Sequence, residues 1–166
     1  MASVKLAYAS SSNLTITLAS LATDSNLLTG REGTAVDNST NLYIDYLISG
    51  KITTGTSPTD VKEIRVYVVA ELDDSTWPDV FDGTDSAETI TSAQIREALC
   101  KPVVFLQTNN TSDRTYSFTG ISVAALFGGT CPRKFVVFVT HNTGVNLNST
   151  SGNQQITVKG VYETVA

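Results

Sequence analysis

Lys134-Phe-Val-Val-Phe-Val-Thr-His141 and, after a polar loop, Gln154-Gln-Ile-Thr-Val-Lys-Gly-Val-Tyr-Glu-Thr164 decide the fold class of this chain. Both runs are rich in β-branched and aromatic residues, whose side chains pack well on a pleated surface. The Asn, Ser, Thr and Gly between them are turn formers, so the pattern predicts two paired strands joined by that loop. The second run reaches almost to Ala166, and the chain is expected to end within or beside a sheet.

Working outward, the same signals recur. Segment 4–8 and segment 14–18 read as opening strands; in the latter Leu14, Ile16 and Leu18 alternate with Thr15 and Thr17, the period of a half-buried strand. Segment 19–41 reads as a long loop. Segments 42–53 and 61–71 read as long strands, and Ile64, Val66, Val68 and Ala70 mark the core face of the second. Residues 73–89 form an acidic excursion with many turn formers. Segment 91–99 is the one clear helix, with Thr91 as its N-cap and Gln94 completing a capping box, and Pro102 stops it. Strands follow over 103–107 and 115–118, with one helical turn over 122–127. About eight strands, one short helix and no helix–strand alternation predict an all-β chain, an antiparallel β-sandwich or jelly roll, folded as a single domain over 1–166.

Composition supports that class and excludes others. Ser and Thr make up roughly a quarter of the 166 residues, while only 16% are charged. The surface is therefore polar but mostly neutral. A net charge of −5, with the basic residues scattered, is a poor match for a phosphate backbone, so no nucleic-acid partner is expected. The first residues lack the basic start and apolar core of a secretory signal, and no apolar stretch approaches the length of a membrane helix, so no membrane contact is expected.

The candidate sites are few. His141 is the single histidine, but no Gly-x-Ser-x-Gly elbow marks a nucleophile for it to serve. It reads as a strand-end residue bonded into its turn. Cys100 and Cys131 lack the partners of a zinc site and read as reduced, buried thiols, with a disulfide or a reactive thiol as alternatives. Asp79, Asp82 and Asp85 supply the oxygen ligands a calcium ion wants, without the spacing of an EF-hand; a solvated loop with Asx-turns is the plainer reading. The same acids can be read as a glycosidase pair, though neighbours on an exposed loop rarely acquire the shifted pKa it needs. No catalytic residue, metal or other cofactor is assigned. As interface residues we take Arg31 and Glu32 between their two glycines, Asp37 and Asn38 in the long loop, and Trp77 as an aromatic outside the main core.

Five phrases carry a resemblance. They are the stretches 27–41 (LLTGREGTAVDNSTN), 46–55 (YLISGKITTG), 78–88 (PDVFDGTDSAE), 122–129 (SVAALFGG) and 141–147 (HNTGVNL). Together they resemble a family of small virion-associated proteins encoded among the structural genes of tailed bacteriophages. The similarity runs from about Asp24 to Ala166. It implies a non-enzymatic capsid decoration (cement) protein, or a tail or collar component, residing in the virion after synthesis in the host cytoplasm. The partners implied are the major capsid protein or other virion proteins, and further copies of the chain in a homo-oligomer. The loop 19–41 and the N-terminal residues are then the segments expected to reach neighbours. A carbohydrate-binding module or phage adhesin, using Trp77 and the tyrosines, is the reading from another class.

Overall fold

In a computed structural model that describes residues 3–165, the chain is all-β, with two antiparallel sheets and two short helices. The first sheet has the strand order β1 (Val4–Tyr8), β11 (Gln155–Val165), β5 (Asp45–Thr53), β9 (Thr115–Ser122), and a short β2 (Ser12–Asn13) also pairs with β11. The second runs β7 (Ser86–Thr89), β3 (Thr29–Glu32), β10 (Lys134–His141), β6 (Lys62–Ala70), β8 (Lys101–Thr108), with β4 (Val36–Asp37) also pairing with β10.

Alternation places the core. Tyr46, Ile48 and Ile52 of β5 and Ile156 and Val158 of β11 meet Ile64, Val66 and Val68 of β6 and Phe135, Val137 and Val139 of β10 in one buried cluster. Each sheet thus buries one face against the other. The second sheet is also covered behind. Tyr67, Val69, Val136 and Phe138 point away from the first sheet and are buried under Phe81, Ile90 and Cys100, with Trp77 and Ile95 packed beside them. That second layer explains why β10 is apolar on both faces from Phe135 to Val139. A strand with both faces covered favours apolar side chains on each; all but Lys134 of β10 are buried, and its two buried polar residues, Thr140 and His141, are bonded to the Thr29 and Leu21 carbonyls.

Several expectations change here. β10 and β11 do not pair with each other; they lie at the hearts of different sheets, and residues 142–154 carry the chain across. Segment 14–18 is not a strand. It runs extended between the sheets, burying Leu18 and donating Leu14 N–H to Ile156 O, while Thr15 O accepts from Thr34 N–H. The long loop 19–41 supplies β3 and β4, and the acidic excursion supplies β7 as the partner of β3. Leu42 and Ile44 lie outside β5 and are exposed.

The helix α1 spans Ala93–Leu99, and its cap is Ser92 rather than Thr91: the Ser92 hydroxyl accepts from Ile95 N–H. Thr91 instead donates to Asp79 through both its amide and its hydroxyl. The turn at 122–127 forms as α2 (Val123–Leu126), capped by Ser122. Pro102 is tolerated within β8 because β8 is an edge strand and the β6–β8 register slips between Val66 and Tyr67, opposite the proline.

Candidate functional site

Four of the five expected interface residues are engaged within the chain. Arg31, on β3, donates from Nε to Asp85 Oδ1 at 2.5 Å and from an Nη to the Asp85 carbonyl at 2.7 Å. Asp85 also accepts from the amide and hydroxyl of Thr17 at 3.0 and 2.6 Å. One carboxylate therefore ties β3, the acidic excursion and the extended segment 14–18 together. The Arg31 guanidinium and the Thr17 donors outweigh the cost of partial burial and hold the Asp85 carboxyl below its ordinary pKa.

Glu32 is 0% exposed, although it neighbours Arg31 in sequence. Successive residues of a strand point to opposite faces, so Glu32 is driven under the excursion while Arg31 stays at the surface. Its carboxylate accepts from Gly83 N–H at 2.7 Å and from Asp82 N–H at 3.3 Å. Burial, with further repulsion from Asp82 and Glu88, still pushes its pKa up to about 7. Glu32 is thus the strut that holds the turn at 82–83, and no surface partner can reach it in the folded chain.

Asn38 is also buried. Its side chain bridges the next turn, accepting from Tyr43 N–H and donating to Tyr43 O, both at 2.8 Å. Asp37 alone is exposed and lies at the rim, 3.9 Å from Lys134 Nζ; Ser39 donors are the chief cause of its lowered pKa. The same lysine is 3.9 Å from Glu71, whose buried carboxylate oxygens have no hydrogen-bond donor. Trp77 is half-buried, its indole lying over Gly83 so closely that a Cβ there would meet the ring at 3.1 Å. It lies outside the main core, folded back and partly covered against the layer behind the second sheet.

The three acids considered for calcium do not converge. Asp79 accepts from Thr91, Asp82 from Thr84 at 2.8 and 2.6 Å, and Asp85 from Arg31 and Thr17. Among the described residues no group of three His, Cys, Asp or Glu side chains is placed to hold a metal ion. Only the Asp82–Thr84 bonds are those of an Asx-turn; Asp79 and Asp85 fasten the excursion to Thr91 and to Thr17 and Arg31, farther along the chain.

His141 lies fully buried at the end of β10. Nε2 is 3.0 Å from the Leu21 carbonyl, which can only accept, so Nε2 carries the proton; Nδ1 is 3.0 Å from the Thr143 hydroxyl. Burial lowers its pKa, so the ring is neutral and serves to pin the chain at residue 21 to the β10 corner. Cys100 is buried and Cys131 half-buried, both unpaired, and burial raises their thiols to about 12 and about 11. A thiol protonated at neutral pH is a poor nucleophile.

A further exposed feature lies at the other end of the first sheet. The strands β1 and β11 project beyond β5, whose pairing with β11 stops at Asp45 opposite Val161. Past that point, among the described residues, Val4 to Ala7 pair only with Val165 to Tyr162, as a two-stranded ribbon. Ile156 and Val158 face the core, so alternation turns Glu163 and Val165 to the outer face, together with Val4, Leu6 and Tyr8 opposite the odd-numbered residues of β11. Val4, Leu6 and Tyr8 are 64%, 61% and 59% exposed, and Val165 is as exposed as they are. The signal was present as alternate apolar residues in 4–8, but periodicity does not say whether that face is covered. No helix among the described residues is long and apolar enough to cross a membrane. Comparisons of the chain with protein-family models, with curated proteins and with solved structures return no match.

Proposed function

We infer that the chain is a jelly-roll structural protein of a phage particle, most simply a capsid decoration protein that binds the shell of major capsid subunits. The observation that carries this reading is the order of the strands. Leaving aside the short β2, β4 and β7, the remaining eight strands taken in chain order lie as 1-8-3-6 in one sheet and 2-7-4-5 in the other. That order follows when a long hairpin of four strand pairs is rolled up, and it is the order of double-sheet jelly rolls, an architecture found in viral shells and lectins. Consecutive strands β5 and β6, β8 and β9, and β10 and β11 each change sheet, as rolling requires. The resemblance of the five sequence phrases to virion-associated proteins points the same way.

Physical properties fit the role. Hydrogen bonds donated by Arg31 and Asn38 and accepted by Glu32 and Asp79 fasten the long connections onto the sheets. A net charge of −5 keeps a repetitive particle surface from self-association by non-specific contact. Purified protein added to capsids that lack it should bind at micromolar concentration and raise the temperature at which the shells break. Failure to bind under those conditions overturns the reading.

Lectins share the architecture, so sugar binding is the second reading. Trp77, its expected stacking residue, is half-buried against Gly83 and presents little free ring face. Glycan-array binding abolished by Trp77→Ala would favour it over the shell-binding role.

A further inference from the structure

We propose that the free edge of β1 pairs with the β1 edge of a second copy about a two-fold axis through Leu6, joining two first sheets into one continuous sheet. The inference does not depend on the shell-binding reading.

Three observations carry it. First, among the described residues β1 is an edge strand whose only sheet partner is β11. Ala9 N–H donates to Gly160 O, and the register places Ala7 opposite Tyr162 and Lys5 opposite Thr164. In an antiparallel ladder the bonded pairs alternate, so the backbone groups of Lys5 and Ala7 face β11, and those of Val4, Leu6 and Tyr8 face outward. Exposed edges of this kind template further pairing unless blocked, and β1 has no proline, no bulge and one charge.

Second, the strand is self-complementary about its centre. A two-fold axis at Leu6 sets Leu6 against Leu6 and Val4 against Tyr8 of the other copy. These are the residues whose amide and carbonyl groups point outward, so each facing pair exchanges two hydrogen bonds. Lys5 meets Ala7 and never its own counterpart. Moving the axis to Lys5 places like charges face to face and shortens the overlap, and both effects disfavour that register. The same charge pattern selects the occupant: a second copy satisfies every outward group and leaves the single charged residue beside an alanine.

Third, the ribbon lacks support of its own. Two strands alone are marginal in water, and beyond Asp45 no third strand flanks this pair among the described residues. Pairing through β1 makes four strands of two and brings the exposed Val4, Leu6 and Tyr8 side chains of each copy into lateral contact with those of the other.

The test is the oligomeric state of the full chain, by sedimentation equilibrium up to about 100 μM, a range suited to a small interface. The wild type is expected to dimerise. Leu6→Pro removes an outward N–H that β11 does not use, so it should keep the wild-type melting curve while weakening the dimer at least about tenfold. A second readout survives if that variant misfolds. Leu6→Cys in a Cys131→Ser background should form a disulfide-linked dimer with oxidised glutathione, because facing residues in a bonded pair lie about 5.5 Å apart between Cα atoms, within disulfide range. Lys5→Cys in the same background faces Ala7 and should not. A wild type that remains monomeric overturns the proposal, and so does a dimer that Leu6→Pro leaves intact and Leu6→Cys fails to trap.

Discussion

Glu32 shows how one residue's environment becomes a property of the whole chain. Its folded pKa of about 7 stands above the ordinary carboxylate value of 4.5, so between those pH values the folded state binds more protons than the unfolded state. Stability from this group is therefore fully present below about 4.5 and is lost as the pH rises through 7. Glu32→Gln keeps an acceptor for Gly83 N–H without the charge. Relative to the wild type, its unfolding free energy should rise by about 2–3 kcal/mol between pH 5 and pH 8, measured by chemical denaturation at both. A difference independent of pH would mean that the carboxylate is not desolvated. His141 acts on the opposite limb: its lowered pKa means that stability is lost as the pH falls below its unfolded value near 6.5, because the unfolded chain takes up the proton first. Of these residue roles, only the structural reading of His141 could be taken from the sequence. Arg31 and Glu32 were read together as interface residues because they are neighbours, yet a strand sends neighbours to opposite faces, and the partner of Arg31, Asp85, is remote in the chain.

Among the elements, β3 best illustrates what local patterns miss. Thr29–Glu32 has one glycine, two polar residues and a buried acid, so nothing in it reads as a strand. It becomes one because β10 and β7 offer edges on both sides and because Gly30 allows a close approach. A Cβ at Gly30 would stand 2.3 Å from Val139 O and 2.6 Å from the Phe138 ring. Gly30→Ala should therefore force β3 away from β10 and destabilise the protein by about 2–3 kcal/mol. Gly152→Ala, where a Cβ meets nothing within 4 Å, should change stability by less than about 0.5 kcal/mol. Thermal melts of the two variants check both. By contrast β6, with Ile64, Val66 and Val68 on one face, was legible because its alternation is strong and its burial follows it.

For the molecule as a whole, burial is graded from centre to edge. β10 lies third of five in the second sheet and is covered on both faces; β1 lies at the edge of the first sheet and is covered on neither. Native-state hydrogen exchange should accordingly be slowest in β10 and β6 and fastest in β1, by several orders of magnitude under conditions where the protein is monomeric. Uniform protection across both would contradict this order. If the edge of β1 pairs as proposed, protection of Leu6 should rise with protein concentration.

The sequence alone carried the all-β class, the short helix near 91–99, the helical turn at 122–127 and the core face of β6, because each depends on the spacing of residues within one segment. Strand partners were another matter. β10 and β11 look like a hairpin in sequence and belong to different sheets, because pairing is set by which edges are free and which faces can be buried once the whole chain is folded. The same reason placed Trp77 in a second layer, Glu32 beneath a turn, and the apolar residues of β1 on an open edge. Spacing tells which residues share a face; only packing tells what that face meets.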